Sequence, residues 1–185
     1  MENFNTGRGM NLNRVTKQLS VSRLFGILLA AVLLAACASE PNQPSGQPGM
    51  PSAFSNLTKN AQWYLEQVDP AKPAEAFTWQ VMAARSYLAL GQAKPASALY
   101  QQLQKQAQSA EQKAQLQLLQ AHLLLAQGNA NQALILLEGK PEVVLDADTQ
   151  KDWYRQRVVL QLDINNKFGA AKSLILLEPY LAQNE

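Results

Sequence analysis

Residues 84–137 contain one pattern twice, with the two copies separated by 37 positions. The first copy consists of Ala84, Tyr87, Gly91, Ala96 and Tyr100, and the second of Ala121, Leu124, Gly128, Ala133 and Leu137. A weaker third copy, shifted by 38 positions from the second, consists of Leu162, Asn166, Ala171 and Ile175. A fixed period of this size is typical of a helical solenoid, in which each unit buries its apolar face against its neighbours. The pattern therefore predicts stacked pairs of helices.

Each repeated position has a role in such a pair. The alanines permit close approach of neighbouring helices, and Tyr100 and Leu137 are expected to fill the space between units. Gly91 and Gly128 stand where the first helix of a pair must end, and glycine adopts the left-handed conformation there at little steric cost. Asn166 is expected to do the same in the third copy, since asparagine is the next most suitable residue.

The sequence from residue 53 onward predicts an all-α fold, because it is rich in Ala, Leu and Gln, which are strong helix formers. The predicted helices span residues 53–68, 74–90, 95–107, 110–127, 130–138, 148–165 and 168–182. Pro73 and Pro95 suit the first turns of their helices, Asp148 is the expected N-cap of the sixth, and residues 139–146 read as a longer connection. The arrangement resembles a tetratricopeptide-like solenoid of about three helix pairs plus a leading helix. Trp79 lies near that family's aromatic position, although its final proline is missing.

An apolar run from Leu24 to Ala36 ends at Cys37, and four basic residues precede the run. A basic leader, a short apolar core and small residues before a cut site are typical of a secretory signal peptide. The segment resembles the lipobox of bacterial lipoprotein precursors, which implies that residues 1–36 are a signal peptide and that Cys37 carries lipid. A transmembrane anchor is the less favoured alternative, because a spanning helix needs about 20 apolar residues. Cys37 is the only cysteine, so a disulfide within the chain is excluded.

Residues 37–52 read as a lipidated tether, and residues 53–185 as the helical domain. The stretch from Ser39 to Ser52 is rich in proline and glycine, which disfavour helix and cannot form a buried core, so it predicts a disordered spacer. Without the leader, twelve Lys and Arg residues stand against thirteen Asp and Glu residues. This near-neutral balance lacks the basic patch that nucleic-acid binding requires.

The sequence predicts no catalytic, cofactor or metal site. His122 is the only histidine, so no histidine-based metal cluster or catalytic triad is available. Asp146, Asp148 and Asp152 are grouped at a predicted helix start, where carboxylates favour the positive end of the helix dipole. A calcium site would need more oxygen ligands at closer spacing. We therefore expect neither an enzyme nor a small-molecule substrate.

The first helices of the pairs are expected to form the inner surface of the solenoid, where partners bind. The register assigns to it Val81, Arg85, Leu88, Gln115, Leu118, His122, Leu125, Trp153, Gln156 and Leu160. Among these, Arg85, His122, Trp153 and Gln156 are the candidates for contact with a protein partner. The alternative, equally weighted, is that several of them pack against helices within the domain.

Five segments together resemble a known family: AQWYLEQV, WQVMAARSYLALGQ, PASALYQQL, LLLAQGNANQALILLEGK and DWYRQRVVLQLD. In order and spacing they are similar to the N-terminal region of LpoA-type penicillin-binding protein activators, also called LppC-family lipoproteins. The resemblance covers essentially all of Phe54 to Glu185.

The resemblance implies an outer-membrane lipoprotein that stimulates a class A penicillin-binding protein in peptidoglycan synthesis, by contact and not by catalysis. The membrane is reached through the lipid on Cys37, and Ala38 in place of Asp resembles the pattern for outer-membrane sorting. Family members carry a large second domain that this sequence lacks, so the chain is expected to be a fragment. Two rivals stay open: a repeat lipoprotein that acts as an assembly scaffold in the envelope, and a glycan-cleaving enzyme with paired carboxylates.

Overall fold

The computed structural model describes residues 50–181. The predicted signal peptide, Cys37 and nearly all of the predicted tether lie outside the described residues, as do residues 182–185. The described part contains helices and no strand. The helices are α1 (Ala61–Glu66), α2 (Pro73–Ala89), α3 (Ala93–Gln106), α4 (Ala110–Ala126), α5 (Ala130–Leu136), α6 (Ala147–Asp163) and α7 (Lys167–Leu181). The prediction of an all-α fold is confirmed.

The helix starts repeat with a period of 37 residues. Helices α2, α4 and α6 begin at residues 73, 110 and 147, and α3, α5 and α7 begin at residues 93, 130 and 167. Three units of two helices therefore follow α1, and each unit starts 37 residues after the one before it.

Each helix packs against the next one along the chain, and α4 also packs against α2 and α6. Within the described residues, no such contact joins α3, α5 and α7 to one another. This nearest-neighbour packing is compatible with the predicted solenoid, in which the first helices of successive pairs form one continuous layer. None of the described helices is both long enough and apolar enough to cross a membrane.

The first helix of every pair is followed by a residue in the left-handed conformation. Gly91, Gly128 and Asn165 have φ angles of +69°, +77° and +60°, and they are again 37 residues apart. The two glycines confirm the prediction. Asn166 does not take this role: its side-chain oxygen accepts a hydrogen bond from the N–H of Gly169 at 2.9 Å, at the start of α7.

The third copy of the pattern is therefore shifted by 37 positions and not by 38. Three residues of the predicted copy, Leu162, Ala171 and Ile175, are exposed. The 37-residue shift makes Val158 the equivalent of Ala84 and Ala121, and Ala170 the equivalent of Ala96 and Ala133. Val158 and Ala170 are buried, as are these four alanines. One position rotates a side chain by about 100° around a helix, since a turn contains 3.6 residues. The shift thus moves the third copy to a different face.

Six of the seven predicted helices match the structure to within two residues at each end. Pro73 is the first residue of α2, and Pro95 lies in the first turn of α3. The N-cap of α6 is Asp146 and not Asp148, because the Asp146 carboxylate accepts a hydrogen bond from the N–H of Thr149 at 3.0 Å. Asp148 lies within the first turn.

The predicted first helix, 53–68, is wrong over its N-terminal half. Helix α1 begins only at Ala61, where the Asn60 side chain accepts a hydrogen bond from the N–H of Trp63 at 2.9 Å. Upstream of it, residues 53–55 form a turn whose carbonyls bind a side chain of α2. That tertiary contact takes acceptors that a helix would have used internally, and Phe54, Ser55 and Asn56 are weak helix formers.

Candidate functional site

Helices α2, α4 and α6 carry equivalent residues at intervals of 37 along the face on which partner contact was predicted. We call these nine residues the inner face. They are Val81, Arg85 and Leu88 on α2, Leu118, His122 and Leu125 on α4, and Arg155, Val159 and Leu162 on α6.

The corrected register changes which residues of α6 belong to the inner face. Trp153, Gln156 and Leu160 follow from the 38-residue shift, and all three side chains are buried within the domain. In the 37-residue register, the α6 equivalents of Leu118, His122 and Leu125 are Arg155, Val159 and Leu162. Partner contact by Trp153 and Gln156 stays a prediction, but both would have to act through surface that the domain covers in this structure.

Burial of the inner face decreases from α2 to α6. Val81 and Arg85 are buried, and His122 is partly exposed. On α6, Val159 is 42% exposed and Leu162 is 56% exposed. The face is therefore covered at one end and open at the other.

The covering residues come from the start of the described chain. Residues 52–55, which we call the strap, lie across the inner face, and the Phe54 side chain is only 4% exposed. Nη1 of Arg85 donates hydrogen bonds to the carbonyl oxygens of Ala53 and Ser55 at 2.8 and 2.9 Å. At the other end of the strap, Oγ of Ser52 lies 3.3 Å from Oγ1 of Thr149 on α6. The strap thus links the first helix pair to the third.

The Phe54 ring contacts cationic or aromatic groups on two helices. The guanidinium carbon of Arg85 lies 4.7 Å from the ring centroid, a distance at which a cation is attracted to the ring face. The ring of His122 on α4 is centred 6.2 Å away. Phe54 therefore occupies the space between α2 and α4 on the inner face.

A buried carboxylate lies beneath this arrangement. Oδ2 of Asp152 on α6 is 2.7 Å from Nε2 of His122, and Oδ1 pairs with the guanidinium of Arg155. Burial by itself raises the pKa of Asp152. The hydrogen bond with His122 and the charges of His122, Arg85 and Arg155 outweigh burial and lower the pKa to about 2. Asp152 is thus a carboxylate at neutral pH and connects α4 to α6.

Arg85 is the main cation of the site. Burial lowers the pKa of Arg85, while the nearby charge of Asp152 raises it. An arginine side chain keeps its proton in proteins, so the guanidinium supplies a buried positive charge. Its hydrogen bonds to two backbone carbonyls and its contact with Phe54 partly replace the water that burial removes.

The arrangement is suited to binding polypeptide. Arg85 binds carbonyl oxygens of a turn, and the adjoining space holds an aromatic ring. Within residues 50–181, no group of three or more His, Cys, Asp or Glu side chains could hold a metal ion.

The structure brings two of the four predicted contact residues, Arg85 and His122, to the same place, beside the Phe54 ring. Sequence reasoning missed Phe54 and the pairing of Asp152 with His122. The pairing joins residues 30 positions apart, and only the spacing of Asp152 from Arg155 on one helix could have indicated that the carboxylate is paired. Cys37 lies outside the described residues, and its lipidation stays a prediction.

Comparison with known proteins places this fold in a family. The family model described as "LppC putative lipoprotein" matches residues 55–185. The chain belongs to the LppC family. The match covers every described helix and begins at the last residue of the strap.

Several relatives of this LppC-family chain are named penicillin-binding protein activator LpoA. The chain is 31% identical to the one from Vibrio antiquarius over 91% of its own length and 27% of the relative's. For those from Photobacterium profundum and Edwardsiella ictaluri, the identities are 28% and 30%. These matches cover 94% and 93% of this chain, and 28% and 24% of the relatives. The chain therefore spans about a quarter of the length of these relatives. No solved structure matches it significantly.

Proposed function

We propose that the chain is the helical part of a lipid-anchored activator of a class A penicillin-binding protein. The observation that carries the proposal is the similarity of more than nine tenths of the chain to proteins named penicillin-binding protein activator LpoA. The activator would bind the synthase and favour its active conformation, because a ligand shifts an equilibrium toward the state that it binds better. It would perform no chemistry of its own.

The inner face is the proposed contact surface for the synthase. Its open end on α6 carries Val159 and Leu162, two large apolar side chains that a monomer gains nothing by exposing. Arg155 beside them is exposed and charged, and arginine is enriched at protein interfaces. Apolar groups flanked by an arginine suit a protein partner.

The experiment compares two charge insertions in the full lipidated chain. Leu162→Arg alters the open end of the inner face, whereas Ile135→Arg alters a somewhat more exposed apolar residue on α5, a helix of the other layer. Both are measured for binding to a purified class A penicillin-binding protein and for stimulation of glycan polymerisation. We expect Leu162→Arg to weaken binding at least tenfold and Ile135→Arg to leave it within twofold. Failure of the unaltered chain to bind the synthase, with recovery of an outer-membrane barrel-assembly complex instead, would favour the scaffold role.

The proposed location is the periplasmic face of the outer membrane, with Cys37 as the lipid-carrying residue. An alignment that covers 94% of the chain must extend upstream of residue 55 into the leader region, which supports a leader shared with the relatives. Cys37→Ser should abolish lipid labelling and membrane retention. Ala38→Asp is the matched control, because it should keep the lipid and move the protein to the inner membrane. Labelling that survives Cys37→Ser would refute the assignment.

A further inference from the structure

We propose that the strap, residues 52–55, is an internal ligand that closes the inner face and must leave it before a partner polypeptide can bind along the whole face. The proposal rests on the proposed function for the identity of the partner. It rests on the structure for the contact itself.

The first step is that the strap occupies the inner face as a bound peptide would. Arg85 binds two of its backbone carbonyls, and the Phe54 ring is buried between helices. The contact thus combines hydrogen bonds from a cationic side chain to the carbonyls of a turn with burial of one aromatic ring. The expected occupant in trans is therefore a turn of the partner polypeptide that carries an aromatic side chain.

The second step is that the strap can leave without unfolding the helices. Asn56 is exposed and Leu57 is half-buried, and the two join the strap to a firmly held point. There, Oη of Tyr64 accepts hydrogen bonds from the N–H groups of Thr58 and Lys59 at 3.0 and 3.2 Å. Rotation at Asn56 would lift the strap off Arg85 and take Ala53 and Phe54 out of the core, while Leu57 stays packed beside Tyr64 and α1 keeps its contacts with α2.

The third step is the position of the strap relative to the open end. The inner face is buried on α2, where Arg85 holds the strap, and exposed on α6 at Val159 and Leu162. A partner segment that binds at α6 and extends toward α2 must meet Phe54. The strap consequently sets how much of the inner face a partner segment can contact.

A reversible disulfide tests the proposal directly. Oγ of Ser52 lies 3.3 Å from Oγ1 of Thr149, so cysteines at both positions can bring their sulfurs to the bond length of about 2.05 Å with little movement. The double variant Ser52→Cys/Thr149→Cys in the full lipidated chain is compared with itself, oxidised and reduced. Peptide masses verify the link, and binding to a purified class A penicillin-binding protein is the readout. We expect oxidation to weaken binding at least tenfold and reduction to restore it.

Two further measurements keep the outcomes separate. Hydrogen exchange of the unaltered chain should show amides of the strap exchanging at least tenfold faster than amides in the middle of α2. Phe54→Ala should accelerate strap exchange further and strengthen synthase binding, whereas Phe168→Ala, which removes an exposed ring on α7, should change neither. Equal binding by the oxidised and reduced forms, or a strap that exchanges as slowly as α2, would overturn the strap proposal. Absence of binding by every form would overturn the proposed function instead.

Discussion

The buried carboxylate of Asp152 predicts how the stability of this domain depends on pH. The carboxylate is only 2% exposed, so solvent screens its interactions little. Its pKa of about 2 in the fold compares with an ordinary value of 3.8. Since each unit of difference corresponds to about 1.4 kcal/mol, the ionised form contributes about 2 kcal/mol to the free energy of unfolding.

The sign of this pH dependence follows from which state, folded or unfolded, binds the Asp152 proton more tightly. Because the pKa is lower in the folded state, the unfolded chain takes up a proton first as the pH falls. The contribution is therefore complete above about pH 5, roughly half lost near pH 3, and gone below about pH 2. Asp152→Asn removes this dependence, because asparagine does not titrate in that range.

The assay is denaturant unfolding followed by helical circular dichroism, for the unaltered chain and for Asp152→Asn. At about pH 5 the variant should be less stable by about 2 kcal/mol or somewhat more, since Arg85 loses a neighbouring charge within the fold. Near pH 3 the difference should shrink by about 1 kcal/mol. Asp163→Asn is the matched control, because Asp163 is an exposed aspartate at the end of the same helix. A stability difference that stays constant from about pH 5 to about pH 3 would refute the reasoning.

Three further predictions concern single residues, each measured as a change in the free energy of unfolding. Gly128→Val should destabilise the domain by about 1–2 kcal/mol through backbone strain alone, because φ is +77° and a Cβ atom there would meet nothing within 4 Å; an unchanged stability would show that the left-handed turn is not required. Asn165→Gly, at the equivalent position one unit later, should have the opposite sign and stabilise by up to about 1 kcal/mol; a loss of stability would contradict this. Asp146→Ala should cost about 1 kcal/mol by removing the N-cap of α6, and Asp148→Ala clearly less; the reverse order would assign the cap to Asp148.

The helices could be predicted from sequence because their signals are local. Gly91 and Gly128 mark helix ends through a conformation that only glycine adopts easily, and Pro73 marks a helix start through its fixed φ and missing N–H. These effects act within one turn of the chain. The boundaries of six helices were accordingly correct to within two residues.

The register of the third unit could not be read as securely, because two adjacent residues compete for one role. Asn165 and Asn166 are both suited to a left-handed position and to an N-cap, since a short amide side chain can satisfy backbone groups in either. The structure uses Asn165 for the first role and Asn166 for the second. The choice of Asn166 rotated the predicted face of α6 by about 100° and placed Trp153 and Gln156 on it.

The strap could not be predicted because it depends on contacts between distant residues. Its hydrogen bonds to α2 and α6 join residues separated by 30 to 97 positions, and no local sequence pattern indicates such contacts. The period of 37 residues identifies equivalent positions on α2, α4 and α6, but not whether another part of the chain covers them. Arg85, His122 and Val159 are equivalent by sequence, yet one is bound to the strap, one contacts its ring and one is open to solvent. The repeat therefore defines a face of equivalent positions, whereas residues outside the repeat determine which part of that face is covered.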